Sequence, residues 1–134
     1  MKIFLLTFIL IVQLFTMKGI YGEALAATEG LDGNTSLEIC KDALKYVEDQ
    51  ELTNQEKING SYCGGFLLGF YEAHLIEQEK LKPKLYCMPN DLKTEQLNRI
   101  FVSFLEQHPE RLKEESAVLL SDTFKKAYPC KKKK

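Results

Sequence analysis

The side chains able to carry chemistry are few: four cysteines, Cys40, Cys63, Cys87 and Cys130, and two histidines, His74 and His108. A cysteine beside a histidine can work as a nucleophile and base pair, and Cys63 with His74 or His108 is the pair on offer. The competing reading is structural. Cys63 falls on an apolar helical stripe, and an even cysteine count in a small exported domain reads as disulfides. His74 follows Ala73 on a stretch that turns charged from there on, which predicts a surface position, and His108 precedes Pro109 at a helix junction. Zinc usually shows a close Cys-x2-Cys pair, whereas the cysteine intervals here are 23, 24 and 43 residues. No metal and no cofactor are therefore expected. Glu77, Glu79, Glu106, Glu110, Glu114 and Glu115 read as solvated positions, because acid and base catalysis would need them paired in a pocket. The expected chemistry is binding, not catalysis, and the chain is not read as an enzyme.

The cysteine reading depends on the compartment. Lys2 followed by the 15-residue apolar run Ile3 to Met17 and by Ala24-Leu25-Ala26 has the layout of a secretory signal peptide. Cleavage is expected after Ala26, with Gly22 as the other possible site. The run is shorter than the ~20 apolar residues of a membrane span, and Thr7, Gln13 and Thr16 interrupt it. Without residues 1–26, which carry Lys2, Lys18 and Glu23, 108 of the 134 residues remain and the formal charge moves from −1 to −2. That length suits one domain with a modest core. The near-neutral charge argues against nucleic-acid binding. Lys131 to Lys134 reads as a frayed, solubilising tail, or as an attraction for an acidic partner or surface.

Helices must position these residues, since no strand-like alternation and no internal repeat is present. Residues 27–34 lack periodicity and are expected to be a mobile lead-in. Thr35 with Glu38 is a capping box, and Leu37, Cys40, Leu44 and Val47 continue a first helix to about Val47. Thr53 with Glu56 repeats the box and starts a second helix running toward Glu79, with Ile58, Cys63, Phe66, Leu67, Phe70 and Ile76 as its apolar side. Thr94 caps a third helix whose Leu97, Ile100, Phe101, Phe104 and Leu105 form the cleanest amphipathic pattern in the chain. Pro109 opens a fourth, with Leu112, Leu119, Leu120, Phe124 and Ala127 inward. The fold class is all-α, a small four-helix-type bundle over residues 35–130 stapled by two disulfides. Four cysteines allow three connectivities. The facing stripes favour Cys40 with Cys63, and closing the long loop before the third helix favours Cys87 with Cys130, each bridge contributing roughly 3 to 4 kcal/mol on the loop-entropy model.

Two stretches stand out within this frame. Cys63 to Ala73 carries Gly64, Gly65 and Gly69 inside a helix, where each glycine costs roughly 1 kcal/mol against alanine. Ser61, Gly65, Gly69 and Ala73 recur every four residues, so they predict a smooth helix-packing face that a neighbour, the helix bearing Cys40, approaches closely. The segment Lys80 to Asp91 holds Pro83, Pro89 and Asn90-Asp91 and reads as a loop tied down by Cys87. Leu81, Leu85, Tyr86 and Met88, set among Lys82 and Lys84, are candidate partner-binding residues, because an anchored loop loses little entropy on binding. The turn bearing His108 and Glu110 is the second candidate.

Four strings in order carry a family resemblance: Cys63-Gly64-Gly65-Phe66-Leu67-Leu68-Gly69-Phe70-Tyr71-Glu72-Ala73; Cys87-Met88-Pro89 with Leu92-Lys93-Thr94-Glu95-Gln96-Leu97; Phe104 to Glu110; and Ala127-Tyr128-Pro129-Cys130. Together they resemble the Tai family, the type VI secretion amidase immunity proteins of Gram-negative bacteria, over about Cys40 to Cys130. Gly65 stands where the family pattern has a bulky residue. The resemblance implies a periplasmic all-helical protein, often a homodimer, that binds a peptidoglycan amidase effector and occludes its active site. The alternative reading is a periplasmic stress or chaperone-like helical binding module.

Overall fold

The structure, a computed structural model, describes residues 30–48, 50–80 and 84–130. The expected signal peptide, positions 27–29 of the lead-in, Leu81, Lys82 and the lysine tail lie outside the described residues. Within the compact unit Leu31–Lys134 the described chain forms four α-helices, α1 (Gly33–Val47), α2 (Asn54–Lys80), α3 (Thr94–Gln107) and α4 (Ser116–Ala127), with a 3-10 turn at Pro109–Arg111. No strand occurs among the described residues beyond an isolated bridge between Asp32 and Glu115.

A helix begins with amide groups that have no partner inside it, and something outside must accept from them. For α1 the acceptors are Asp32 and a distant segment. The Thr35 N–H donates to Asp32 Oδ1 at 2.8 Å, while those of Gly33 and Asn34 donate to the carbonyls of Glu114 and Leu112 at 3.0 and 2.9 Å. Hydrogen bonds from Thr35, its N–H first, and from the Asn34 side-chain amide hold the Asp32 carboxyl below its ordinary range. The helix thus starts two residues before Thr35, and residues 31–34 belong to the fold instead of a loose lead-in. Gly33 is buried, and a Cβ there would lie 2.6 Å from a Leu119 methyl and 2.9 Å from the Leu112 Cα.

The second capping box forms as expected. The Thr53 N–H donates to Glu56 Oε2 at 2.8 Å and the Glu56 N–H donates to Thr53 Oγ1 at 3.2 Å. Helices α1 and α2 then run antiparallel, joined by the disulfide Cys40–Cys63, by Asn59 donating to Asp42 at 2.8 Å, and by Lys45 bridging Asp42 and Glu56 at 2.8 Å each. They come close together at Gly60, where a Cβ would meet the Ala43 Cα at 3.1 Å. Ser61, Gly65, Gly69 and Ala73, expected on this seam, face away from it. All four are exposed, and a Cβ at Gly64, Gly65 or Gly69 would meet nothing within 4 Å. The cause is helical phase: Cys63, Leu67, Tyr71 and His74 point inward, which turns the small residues outward together with Ile58 and Ile76.

Helix α3 packs across this hairpin. It buries Leu97, Phe101, Phe104 and Leu105 from the expected pattern and adds Asn98 and Val102, while Ile100 stays half-exposed. Its cap is Lys93, whose N–H donates to Gln96 Oε1 at 3.0 Å, and Thr94 is the first helical residue instead of the cap. Buried Asn98 donates to the Cys40 carbonyl at 3.0 Å and sets its amide oxygen 3.6 Å from Cys63 Sγ, so the first bridge is packed against a polar group whose needs are met.

The expected fourth helix does not start at Pro109. Residues 112–115 interrupt it, because their carbonyls serve the α1 amides and the Ser116 N–H donates to the Leu31 carbonyl at 2.8 Å. Arg111 holds the interruption in place through Glu114 at 2.6 Å and Asp122 at 2.8 Å. Leu112 is consequently half-buried outside α4, and α4 buries Leu119, Leu120, Thr123 and Phe124. Phe101, Phe124, Leu67, Leu97, Leu105, Leu119 and Leu120 form the fully enclosed centre, each side chain contributing about 1.5–3 kcal/mol. The second disulfide, Cys87–Cys130, closes a 43-residue interval.

Candidate partner-binding surface

The segment Lys84 to Asp91 has no helix of its own, yet it is fastened at four points. Cys87 is bridged to Cys130, and its N–H donates to the Tyr128 carbonyl at 2.8 Å. The Tyr71 hydroxyl donates to the Pro89 carbonyl at 2.8 Å. Tyr86 is buried, stacked on His74 with ring centroids 4.1 Å apart and set edge-on to Phe124 at 5.8 Å. Met88 is buried beside it in the same core.

Extended backbone alternates its side chains, and that alternation divides the residues that the sequence groups together. Tyr86 and Met88 point inward and act as plugs, so neither is available to a partner. Leu85 projects outward with 65% of its surface exposed, next to exposed Lys84. His74 is likewise a core residue and not a surface one, 6% exposed. Burial there holds its pKa below the ordinary histidine value, with Lys84 adding to the effect and Glu77 opposing it, and the same burial raises that of Tyr86.

The other candidate lies at the far end of α3. His108 ends that helix, packs on the Phe104 ring at 4.5 Å and places Nδ1 3.3 Å from Glu110 Oε1. This turn follows α3, whereas Lys84 and Leu85 belong to the segment before it, tied to the end of α4 through Cys87 and Cys130. Cys63, the imagined nucleophile, is bonded to Cys40, which leaves no thiolate there.

Sequence reasoning missed a groove between α3 and α4. About 430 Å³ in volume, it is lined by Arg99, Ile100, Ser103, Phe104, Gln107, Thr123, Lys126 and Ala127. The Arg111 guanidinium and the Lys126 ammonium each lie 5.8 Å from the Phe104 ring centre. The signal available was Ile100, an apolar residue at the edge of the α3 pattern with no counterpart to cover it.

A family profile described as Rap1a immunity proteins matches residues 32–130. No curated protein and no solved structure matches the chain. The profile begins at the Asp32 cap and ends at Cys130, so it spans the whole disulfide-stapled bundle. It describes an immunity family related to the one that the motifs resemble. The chain belongs to the Rap1a immunity proteins, and its partner is accordingly a cognate effector.

Proposed function

We propose that this immunity protein neutralises a peptidoglycan amidase delivered by a type VI secretion system, and that it does so in the periplasm, where its cysteines are oxidised. Lys84 and Leu85 are the part that enters the amidase cleft. The observation that carries this reading is the contrast at Leu85: an exposed apolar side chain on a segment whose neighbours Tyr86, Cys87 and Met88 are all locked into the bundle. A knob held in place before contact loses little freedom on docking, and the interaction energy goes into affinity. The amidase target rests on the four ordered strings from Cys63 to Cys130, and the export reading rests on residues 1–26.

The test is cell-wall hydrolysis by a candidate amidase in the presence of excess purified protein. Inhibition that disappears with Leu85→Asp, in a variant that melts at the native temperature, supports the reading. Undiminished hydrolysis with native protein in excess contradicts the amidase target, and equal inhibition by Leu85→Asp contradicts the segment.

A further inference from the structure

The groove between α3 and α4 has an apolar floor and charged walls. Phe104 and Thr123 are buried beneath it, and Ile100 and Ala127 add apolar surface nearer the rim. Its neutral polar side chains are already bonded: the Thr123 hydroxyl donates to the Leu119 carbonyl at 2.7 Å, and the Gln107 amide donates to Ser103 Oγ at 2.9 Å. What remains is charge of one sign. Arg99 stands exposed on the α3 side and Lys126 on the α4 side, and no carboxylate is among the lining residues. Arg99 is shared with Glu95 at 2.9 Å. Lys126 makes no ion pair among the described residues and rests against the Phe104 ring at 5.8 Å.

We propose that this groove binds a short acidic segment of a protein partner, one that carries a large apolar side chain between two carboxylates. From Arg99 to Gln107, α3 offers about 12 Å of wall, the length of three or four extended residues. Extended backbone turns alternate side chains to opposite faces. A residue set down onto Phe104 therefore leaves its two neighbours near the rim, within reach of the long Arg99 and Lys126 side chains. A basic segment would meet like charge there, and a wholly polar one would leave the apolar floor uncovered. The partner that fits is the effector. The α4 wall ends at Ala127, close before Cys130, and the bridge from Cys130 to Cys87 holds the segment bearing Leu85. Groove and Leu85 thus both belong to the C-terminal end of α4. This assignment to the effector rests on the function proposed above, whereas the preference for an acidic and apolar segment rests on the groove alone.

Nuclear magnetic resonance titration of the purified protein with the peptide acetyl-Ser-Glu-Phe-Glu-Ser-amide tests the groove without any amidase. The expected result is saturable shifts centred on Ile100, Ser103 and Ala127. Binding should weaken about fivefold or more when both glutamates of the peptide are glutamines, when its phenylalanine is serine, or in Lys126→Glu. Lys126 is exposed, so that variant should keep the native helicity and melting temperature. Absence of shifts at these residues with millimolar peptide, equal binding of the glutamine peptide, or equal binding by Lys126→Glu would each overturn the proposal. The assignment to the effector is read separately, in the hydrolysis titration, where Lys126→Glu should require more protein for the same inhibition. Unchanged inhibition by Lys126→Glu would overturn that assignment, whereas a native protein that inhibits no amidase contradicts the amidase target and leaves the peptide result to decide the groove.

Discussion

Glycine has two different meanings among the described helices, and alanine substitution separates them. Gly33 and Gly60 sit where a Cβ would strike Leu112, Leu119 or the Ala43 backbone, so Gly33→Ala and Gly60→Ala should each lower stability by about 1–3 kcal/mol. Gly64 has open space around it, so Gly64→Ala should raise stability by up to ~1 kcal/mol through helix propensity alone. Thermal unfolding of the three variants checks both signs. Gly65 and Gly69 have the same open space around them as Gly64. Among the candidate contact residues, Leu85 is the one whose loss should leave folding intact: its side chain is exposed, whereas removing Tyr86 opens the aromatic stack with His74 and Phe124. Tyr86→Ala should therefore cost about 3–5 kcal/mol, measured by denaturant unfolding, against a change near zero for Leu85→Asp.

At the scale of elements, the α1–α2 hairpin depends on charge. Glu56, bonded to Lys45 and to the Thr53 cap, has its pKa pulled down from 4.5 to about 2. A carboxyl depressed in the folded state stabilises above its unfolded pKa, and that contribution is lost as pH falls through the folded one. Stability should thus decline between about pH 4.5 and pH 2, and Glu56→Gln should flatten that part of the curve in melts taken across the range. Local spacing made this element legible: Thr53 and Glu56 are three residues apart, and the structure forms the box they announce. The amphipathic α3 and the Cys40–Cys63 pairing were legible for a similar reason, since each follows from stripes that a helix must turn inward, whereas Cys87–Cys130 was legible from the long loop that it closes. The start of α1 was not, because its amides are satisfied by carbonyls some 80 residues away at Leu112 and Glu114, and the same demand broke the expected fourth helix at 112–115. The outward face of α2 was misread because apolar residues occur on both of its sides, and only the position of Gly60 against Ala43 decides which side meets α1. Tyr86 and Met88 were grouped with Leu85 by composition, and the alternation that separates them exists only once the segment is pinned.

At the largest scale, the described residues form a small bundle whose two bridges do different work. Cys40–Cys63 lies inside the core against Asn98, whereas Cys87–Cys130 ties a segment without secondary structure to the end of α4. The functional reading depends on the second, because it keeps Leu85 presented on a rigid base. Replacing both Cys87 and Cys130 with serine should weaken effector binding more than it lowers helicity, which titration calorimetry and circular dichroism on the same sample would compare. The central claim, immunity through occlusion of a cell-wall amidase, is met most directly by one measurement: the rate of peptidoglycan hydrolysis by the amidase as purified protein is titrated in. The account predicts loss of hydrolysis that is complete near one protein per enzyme and is abolished by Leu85→Asp. Hydrolysis that continues at its full rate in excess protein would contradict it.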